Sequence, residues 1–398
     1  MPLRYVEQIR LHGGHTQGIT CLAFNDQGSL LASGSLDGTV CVWEPGEAGK
    51  PLYTWAGTSS ILCLEWYKLK SEEAIFCGLR NDSILSLRIL KKRIEVHGFW
   101  AYGYPAEKLA ARDDYLAVGA QKQASVWRVV EKGPWIEELR IPDPPATSLS
   151  NNREILVTGL QWIKKGCKAD SDKSSPEGLL FVAYMYHGIV IIDSATWSRV
   201  RSIPTSGCIA SACVSPNGEL FAVSNPPARF DIYQIDGQPD SQTPVHVLVD
   251  EFDSSISDSP TPVVFVHDGH ALLTGSSSGT PKLWDTKKGV LHHRIPTEAG
   301  KRVLAVAATF CLSEEDSALD EFKVALGILD ATSSESEIVM CAAVPYDEPV
   351  HAMRSWSKKN HSKGSATASV GTWSLALLCA TIASALTLFG VTFGGFFS

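Results

Sequence analysis

A chain of 398 residues, 44% hydrophobic and 20% charged, is ordinary globular material, long enough for one large domain or two to three small ones. Its 35 basic and 43 acidic residues leave a formal charge of −8 with no basic stripe in the body, which excludes nucleic acid as an expected partner. The ten cysteines include no Cys-x-x-Cys pair and mostly lie in apolar, strand-like runs, so they read as reduced core residues of a cytosol-facing protein.

The amino terminus, MPLRYVEQIRL, carries Arg4, Glu7 and Arg10 among its apolar residues. No apolar run of signal-peptide length is present, so no secretory entry is expected and the sequons at Asn81 and Asn360 are read as unused. Tyr5 to Leu11 alternates as a strand does. Residues 14–44, GHTQGITCLAFNDQGSLLASGSLDGTVCVWE, hold three more strand-like runs, at 19–24, 29–33 and 39–43. The turns between them, Asn25-Asp26-Gln27-Gly28 and Asp37-Gly38, supply the positive-φ positions that tight hairpins need. This stretch resembles the WD-repeat family, whose signature is matched at Gly14-His15, Ala32-Ser33-Gly34, Asp37-Gly38 and Trp43-Glu44, with Glu44 standing where the family has Asp. The resemblance implies a buried, hydrogen-bonded tetrad of His15, Ser33, Asp37 and Trp43, structural in role.

If the resemblance holds, the Trp43 position recurs every 40 to 50 residues. Trp127 in Ser125-Val126-Trp127-Arg128 and Trp284 in Lys282-Leu283-Trp284-Asp285 repeat it, with weaker copies at Leu87, Ile192 and Tyr233. The successive intervals from Trp43 to Trp284 are 44, 40, 65, 41 and 51. Two polar stretches, 164–177 and 253–262, account for the long ones as inserted loops. Six blades are thereby indexed. A seventh has strand-like runs at 303–310, 322–329 and 337–344, on either side of an acidic loop at 312–321, and lacks a fourth strand. Tyr5 to Leu11 can supply it, as the first strand does in WD-repeat propellers. The reading is an all-β, seven-bladed β-propeller over residues 3–345, closed by the N-terminal strand, in preference to an irregular sandwich or two β domains.

Residues 346–372 read as a polar, basic linker, and no charged residue follows Lys363. Residues 373–393, WSLALLCATIASALTLFGVTF, would span about 30 Å as a helix, the thickness of a bilayer core. The basic cluster ahead of it, Arg354, Lys358, Lys359 and Lys363, keeps the propeller cytosolic by the positive-inside tendency. A buried helix and a glycolipid-anchor signal are the alternatives to a tail anchor; the second needs a secretory entry that the sequence does not encode. Gly390 and Gly394 fit a small-xxx-small pairing pattern, weak evidence for a homodimer through the helix. The endoplasmic reticulum is the expected membrane, with the mitochondrial outer membrane behind it.

Few residues suggest chemistry. Gly275, Ser277 and Gly279 match the letters of a hydrolase elbow, but a strand is expected after them where the elbow requires a helix. No phosphate loop and no metal-ligand spacing is present, so neither cofactor nor metal is expected. The chain reads as a non-enzymatic scaffold that recruits cytosolic protein partners to a membrane. Arg80, Tyr102, Lys122, Tyr186, His187, Arg229 and Arg302 are nominated as partner contacts on the propeller face that carries the Asp37-Gly38 turn. The layout is also similar to the endoplasmic-reticulum exchange factors for the small GTPase of the COPII coat. Their Gly-rich, Lys-containing loop has its nearest counterpart in His12-Gly13-Gly14-His15, which has no Lys, so nucleotide exchange stands as the alternative. Limited proteolysis checks the single-propeller reading: cuts are expected within 164–177, 250–262 and 312–321, and a stable fragment ending between the third and fourth blades would mean two domains.

Overall fold

The computed structural model describes residues 3–345 apart from 47–48, 70–71, 91–92, 102, 131–134, 165–177, 227–228, 237–242, 250–260, 277–278, 299–300, 312–320 and 331–335. The linker and tail-anchor expectations, and most of the three long loops, fall outside the described residues. Among those described, no helix is long and apolar enough to cross a membrane.

Seven four-stranded antiparallel sheets follow one another along the chain. Blade 1 is β2 (Ile19–Phe24), β3 (Leu31–Ser35), β4 (Thr39–Trp43) and β5 (Tyr53–Ala56). Blade 2 is β6 (Ile61–Leu69), β7 (Glu72–Leu79), β8 (Ser83–Leu90) and β9 (Arg93–Trp100), and blade 3 is β10 (Lys108–Arg112), β11 (Tyr115–Ala120), β12 (Gln123–Arg128) and β13 (Ile136–Arg140). Blade 4 is β14 (Val157–Lys164), β15 (Gly178–Tyr184), β16 (Gly188–Asp193) and β17 (Arg199–Ile203). Blade 5 is β18 (Ser211–Val214), β19 (Leu220–Asn225), β20 (Arg229–Gln234) and β21 (His246–Val249), and blade 6 is β22 (Val263–Val266), β23 (Ala271–Thr274), β24 (Lys282–Asp285) and β25 (Val290–Arg294). Blade 7 takes β26 (Lys301–Cys311), β27 (Glu321–Asp330) and β28 (Ser336–Pro345) from the end of the propeller and β1 (Leu3–Leu11) from its beginning.

The first strand of each blade packs on the first strand of the next, β2 on β6 and so on round to β26, which packs back on β2. The ring is closed. Its repeat is visible in the register: Trp43, Leu87, Trp127, Ile192, Tyr233 and Trp284 each pair with one apolar residue of the preceding strand, namely Leu31, Ile75, Leu116, Leu180, Phe221 and Leu272. All six partners are buried, at most 1% exposed. In blade 1 the second strand starts at Leu31, later than the expected 29. Asn25 holds Leu30 in the turn, since its backbone N–H donates to the Leu30 carbonyl and its Oδ1 accepts the Leu30 N–H.

The core lies between blades. Ala32, Val40 and Val42 of blade 1 form one cluster with Ile61, Leu64, Ile75, Cys77 and Leu87 of blade 2. Such contact requires close approach, and at Gly34 an added Cβ would stand 2.6 Å from Ile61 Cγ2. Hydrogen bonds cross the same seams. Trp66 Nε1–H donates to the Ala23 carbonyl at 2.8 Å, and Trp162 Nε1–H donates to the Ala110 carbonyl at 3.0 Å, each reaching back one blade.

β1 is secured along its length. It pairs with β28 from Leu3↔Pro345 to Leu11↔Ile338, with one bulge between Glu7 and Ile9, and it buries Tyr5 and Leu11. Arg10 reaches Glu7, Glu298 and Glu337 at 2.8 to 2.9 Å, and Lys301 Nζ bridges the last two at 2.9 and 2.6 Å. Blade 6 grips the other end, where His292 Nε2 bonds the Leu3 carbonyl at 2.9 Å and the Tyr5 hydroxyl meets His267 Nε2 at 3.3 Å. Because Leu11 is 1% exposed at this junction, Leu11→Ala is expected to lower stability by about 2–5 kcal/mol, read as a shift in the urea unfolding midpoint.

Candidate functional site

The four signature residues of blade 1 are brought together, with a fifth between them. Trp43 Nε1–H donates to Ser33 Oγ at 2.8 Å, and Ser33 Oγ lies 2.6 Å from His15 Nε2. His15 Nδ1 is 2.6 Å from Thr39 Oγ1, whose hydroxyl donates to Asp37 Oδ1 at 2.5 Å. His15 and Asp37 themselves stand 3.9 Å apart, so Thr39, which is not a member of the expected tetrad, carries the link between them. The proton positions follow. A carboxylate only accepts, so the Thr39 hydroxyl spends its proton on Asp37 and must accept from His15 Nδ1–H. A neutral imidazole then leaves Nε2 bare to accept from Ser33.

Burial lowers the His15 imidazole to about 4, against the opposing pull of Asp37. Burial also raises the Asp37 carboxyl, but hydrogen bonds from Thr39 and Thr16 outweigh it and hold the group below its ordinary value. Each donor and acceptor along this five-residue network is matched, and nothing in it is aimed at solvent as a nucleophile would be.

The other blades keep fragments of this arrangement. Trp284 Nε1–H donates to Thr274 Oγ1 at 3.3 Å, with Thr274 in the place of Ser33. In blade 3 the hydroxyl has moved across the strand pair, and Trp127 Nε1–H donates to Ser125 Oγ at 2.7 Å. Blade 5 puts a carboxylate there. Asp231 is fully buried, and it accepts from Asn225 Nδ2 at 2.7 Å and from Arg229 Nε at 2.8 Å.

The turns between second and third strands lie at the same end of the ring as the connections between blades. Six nominated contact residues can be located there; Tyr102 lies outside the described residues. Arg80 and Lys122 are exposed, and Tyr186 and Arg302 are half-buried. His187 departs from expectation. It is 8% exposed, drawn in beside Gly188, whose positive φ turns the chain tightly against Ile203 and Pro204. Arg229 is committed to Asp231 as its counter-ion, a carboxylate two residues further along the same strand.

The same end carries residues that the sequence reading missed. Trp100, at the end of β9, is 73% exposed. The 16-residue connection from β13 to β14 is ordered: Thr147 Oγ1 donates to the Tyr186 carbonyl at 3.0 Å, and the Arg153 guanidinium sits 5.1 Å from the Tyr186 ring centroid. Glu154 of this connection approaches Lys122 at 3.8 Å. A loop of that length is commonly functional, and the run Pro142, Pro144 and Pro145 was the available signal. Among the described residues, no group of three or more His, Cys, Asp or Glu could hold a metal. β24 does follow the stretch with Gly275 and Gly279; Ser277 lies outside the described residues.

Residues 6–44 match the family model described as WD domain, G-beta repeat. The chain is a seven-bladed β-propeller whose first blade matches the WD-repeat model. Such propellers are in general non-catalytic platforms for protein–protein interaction. The chain is also 39% identical over 69 residues to a protein of Arabidopsis thaliana named Ribosome biogenesis protein BOP1 homolog, a stretch that is 17% of this chain and only 9% of that relative.

The first-blade network makes a prediction with a sign. An unfolded histidine titrates near 6.5 and His15 near 4, so between those values the unfolded chain binds more protons. The stability that neutral His15 contributes is full above pH 6.5 and is lost as pH falls toward 4. His15→Ala and Asp37→Ala are expected to cost a few kcal/mol each in unfolding experiments, and His15→Ala to make the acid-side slope shallower by up to one proton.

Proposed function

We propose that this chain is a non-enzymatic, membrane-anchored scaffold that holds cytosolic proteins on one end of its WD-repeat propeller. The observation that carries the reading is the propeller itself, with its first-blade WD repeat, which at one end exposes Arg80, Trp100, Lys122 and Arg153, the last stacked on the half-buried Tyr186 ring. Large aromatic and arginine side chains are the usual anchors of protein interfaces. Attachment is supported by the composition of residues 373–393 and by the basic residues before them, which orient the propeller to the cytosol. The endoplasmic reticulum is the membrane proposed.

The alignment with the ribosome-biogenesis relative favours a second reading, in which the partners are ribosome-assembly proteins. Proximity labelling of the full chain, of a copy lacking residues 373–398 and of a Trp100→Ala/Arg153→Ala variant separates the two. Recruitment to a membrane predicts that the full chain resists extraction at high pH, that partners depend on residues 373–398, and that the double variant loses at least tenfold in labelling of those partners. Ribosome-assembly proteins labelled equally with and without the tail would favour the second reading. A small GTPase that binds best without nucleotide would overturn both in favour of exchange.

A further inference from the structure

Two strands that line the centre of the ring, β6 and β14, carry the same pattern with one difference. Trp66 pairs with Ile75 and Trp162 with Leu180, the partners of the repeat positions Leu87 and Ile192, so Glu65-Trp66 and Gln161-Trp162 are equivalent. Both tryptophans reach back one blade to equivalent carbonyls, Ala23 and Ala110. The residues before them reach forward.

Gln161 makes a two-point bridge to the next blade: Nε2–H donates to the Val214 carbonyl at 3.2 Å, and the Val214 N–H donates to Oε1 at 2.8 Å. Val214 pairs with Phe221 as Ala111 pairs with Leu116, which makes Ala111 the counterpart of Val214 in front of Glu65. From that position the Ala111 N–H acts on the Glu65 carboxyl. In an antiparallel ladder the N–H and C=O of one residue point to the same side, so the Ala111 carbonyl faces Glu65 as well. A carboxylate cannot answer a carbonyl, because it has no proton to donate. A carboxylic acid can.

We propose that Glu65 is protonated in the folded protein and stands in for the Gln161 amide, accepting from the Ala111 N–H and donating its proton to the Ala111 carbonyl. Blade 2 is thereby stapled to blade 3 by a bond that base removes, whereas the Gln161 staple between blades 4 and 5 is indifferent to pH. The surroundings agree. Burial raises the Glu65 carboxyl to about 8, the Ala111 N–H opposes that rise, and Asp26 in the blade 1 turn adds to it. The other charged groups nearby are engaged elsewhere: Glu73 with Asn25, Arg112 with Asp113 and the Trp162 ring, and Asp113 and Asp114 beside Tyr67. Lys108 acts on the Cys21 and Cys63 thiols.

The sign follows from linkage. An unfolded glutamate ionises near 4.3, so from there to about 8 the folded protein holds one proton more. The stabilisation is complete below the lower value and is lost as pH rises through the upper, up to about tenfold in the folding constant per pH unit. Unfolding of the full chain between pH 5 and 9 is the test, on wild type, Glu65→Gln, Glu65→Ala and Gln161→Glu. Glu65→Gln is expected to remove one proton from the slope and to exceed wild type in stability at pH 8 to 9, while Glu65→Ala is less stable than Glu65→Gln throughout. Gln161→Glu should acquire a slope of the same sign. The infrared carbonyl band of a protonated carboxylic acid should be present at pH 7 in wild type and absent in Glu65→Gln. A Glu65→Gln protein that keeps the wild-type slope, fails to fold or leaves that band unchanged would overturn the proposal.

Discussion

A blade cannot stand alone. Each is a four-stranded sheet with apolar side chains on both faces, and the clusters that bury them span two blades each, as Val126 and Ala117 of blade 3 do with Val182 and Leu180 of blade 4. A fully buried aliphatic side chain contributes roughly 1.5–3 kcal/mol, but only while the neighbouring blade remains in place to cover it. The ring therefore has to close, and the closure falls on β1. That is the region where the structure concentrates polar contacts, with Arg10 among three carboxylates at one end and three histidines of blade 6 near Leu3 and Tyr5 at the other.

Within the ring, polar groups are handled by pairing. The Trp43–Ser33–His15–Thr39–Asp37 chain spends each proton once, blades 3 and 6 keep only its tryptophan–hydroxyl bond, and blade 5 sets Asp231 against Asn225 and Arg229. Glu65 and Gln161 extend the same economy to the strands round the centre. Those strands pair on one side only, and their free N–H and C=O groups need partners from the next blade.

Much of this was legible in the sequence, because period-two strands and turn residues are local signals. The spacing of Trp43, Trp127 and Trp284 indexed the blades, and the alternation of Tyr5 to Leu11 marked the closing strand. What escaped was chemistry that depends on distances across the fold. Thr39 has an ordinary strand residue's appearance, and only coordinates show that it fills the 3.9 Å gap between His15 and Asp37. His187 reads as a loop residue until the turn at Gly188 folds it inward, and Arg229 reads as a free cation until Asp231 is found buried beside it. Trp100 is an opposite case, an aromatic residue in a strand that the blade leaves uncovered.

The pairing of Leu3 with Pro345 has a consequence in time. Chains are synthesised at about 5–20 residues per second, so the partner of the first strand leaves the ribosome roughly 20–70 seconds after it. During that interval Tyr5 and Leu11, buried in the finished ring, have no β28 to lie against. Blades 1 to 6 can assemble in order of emergence, each new one covering the last, but the waiting strand is an open edge next to an apolar face that only the seventh blade can cover. The nascent protein is thus most exposed to misassociation at its oldest part, and the step that ends this exposure joins the two most distant segments of the propeller.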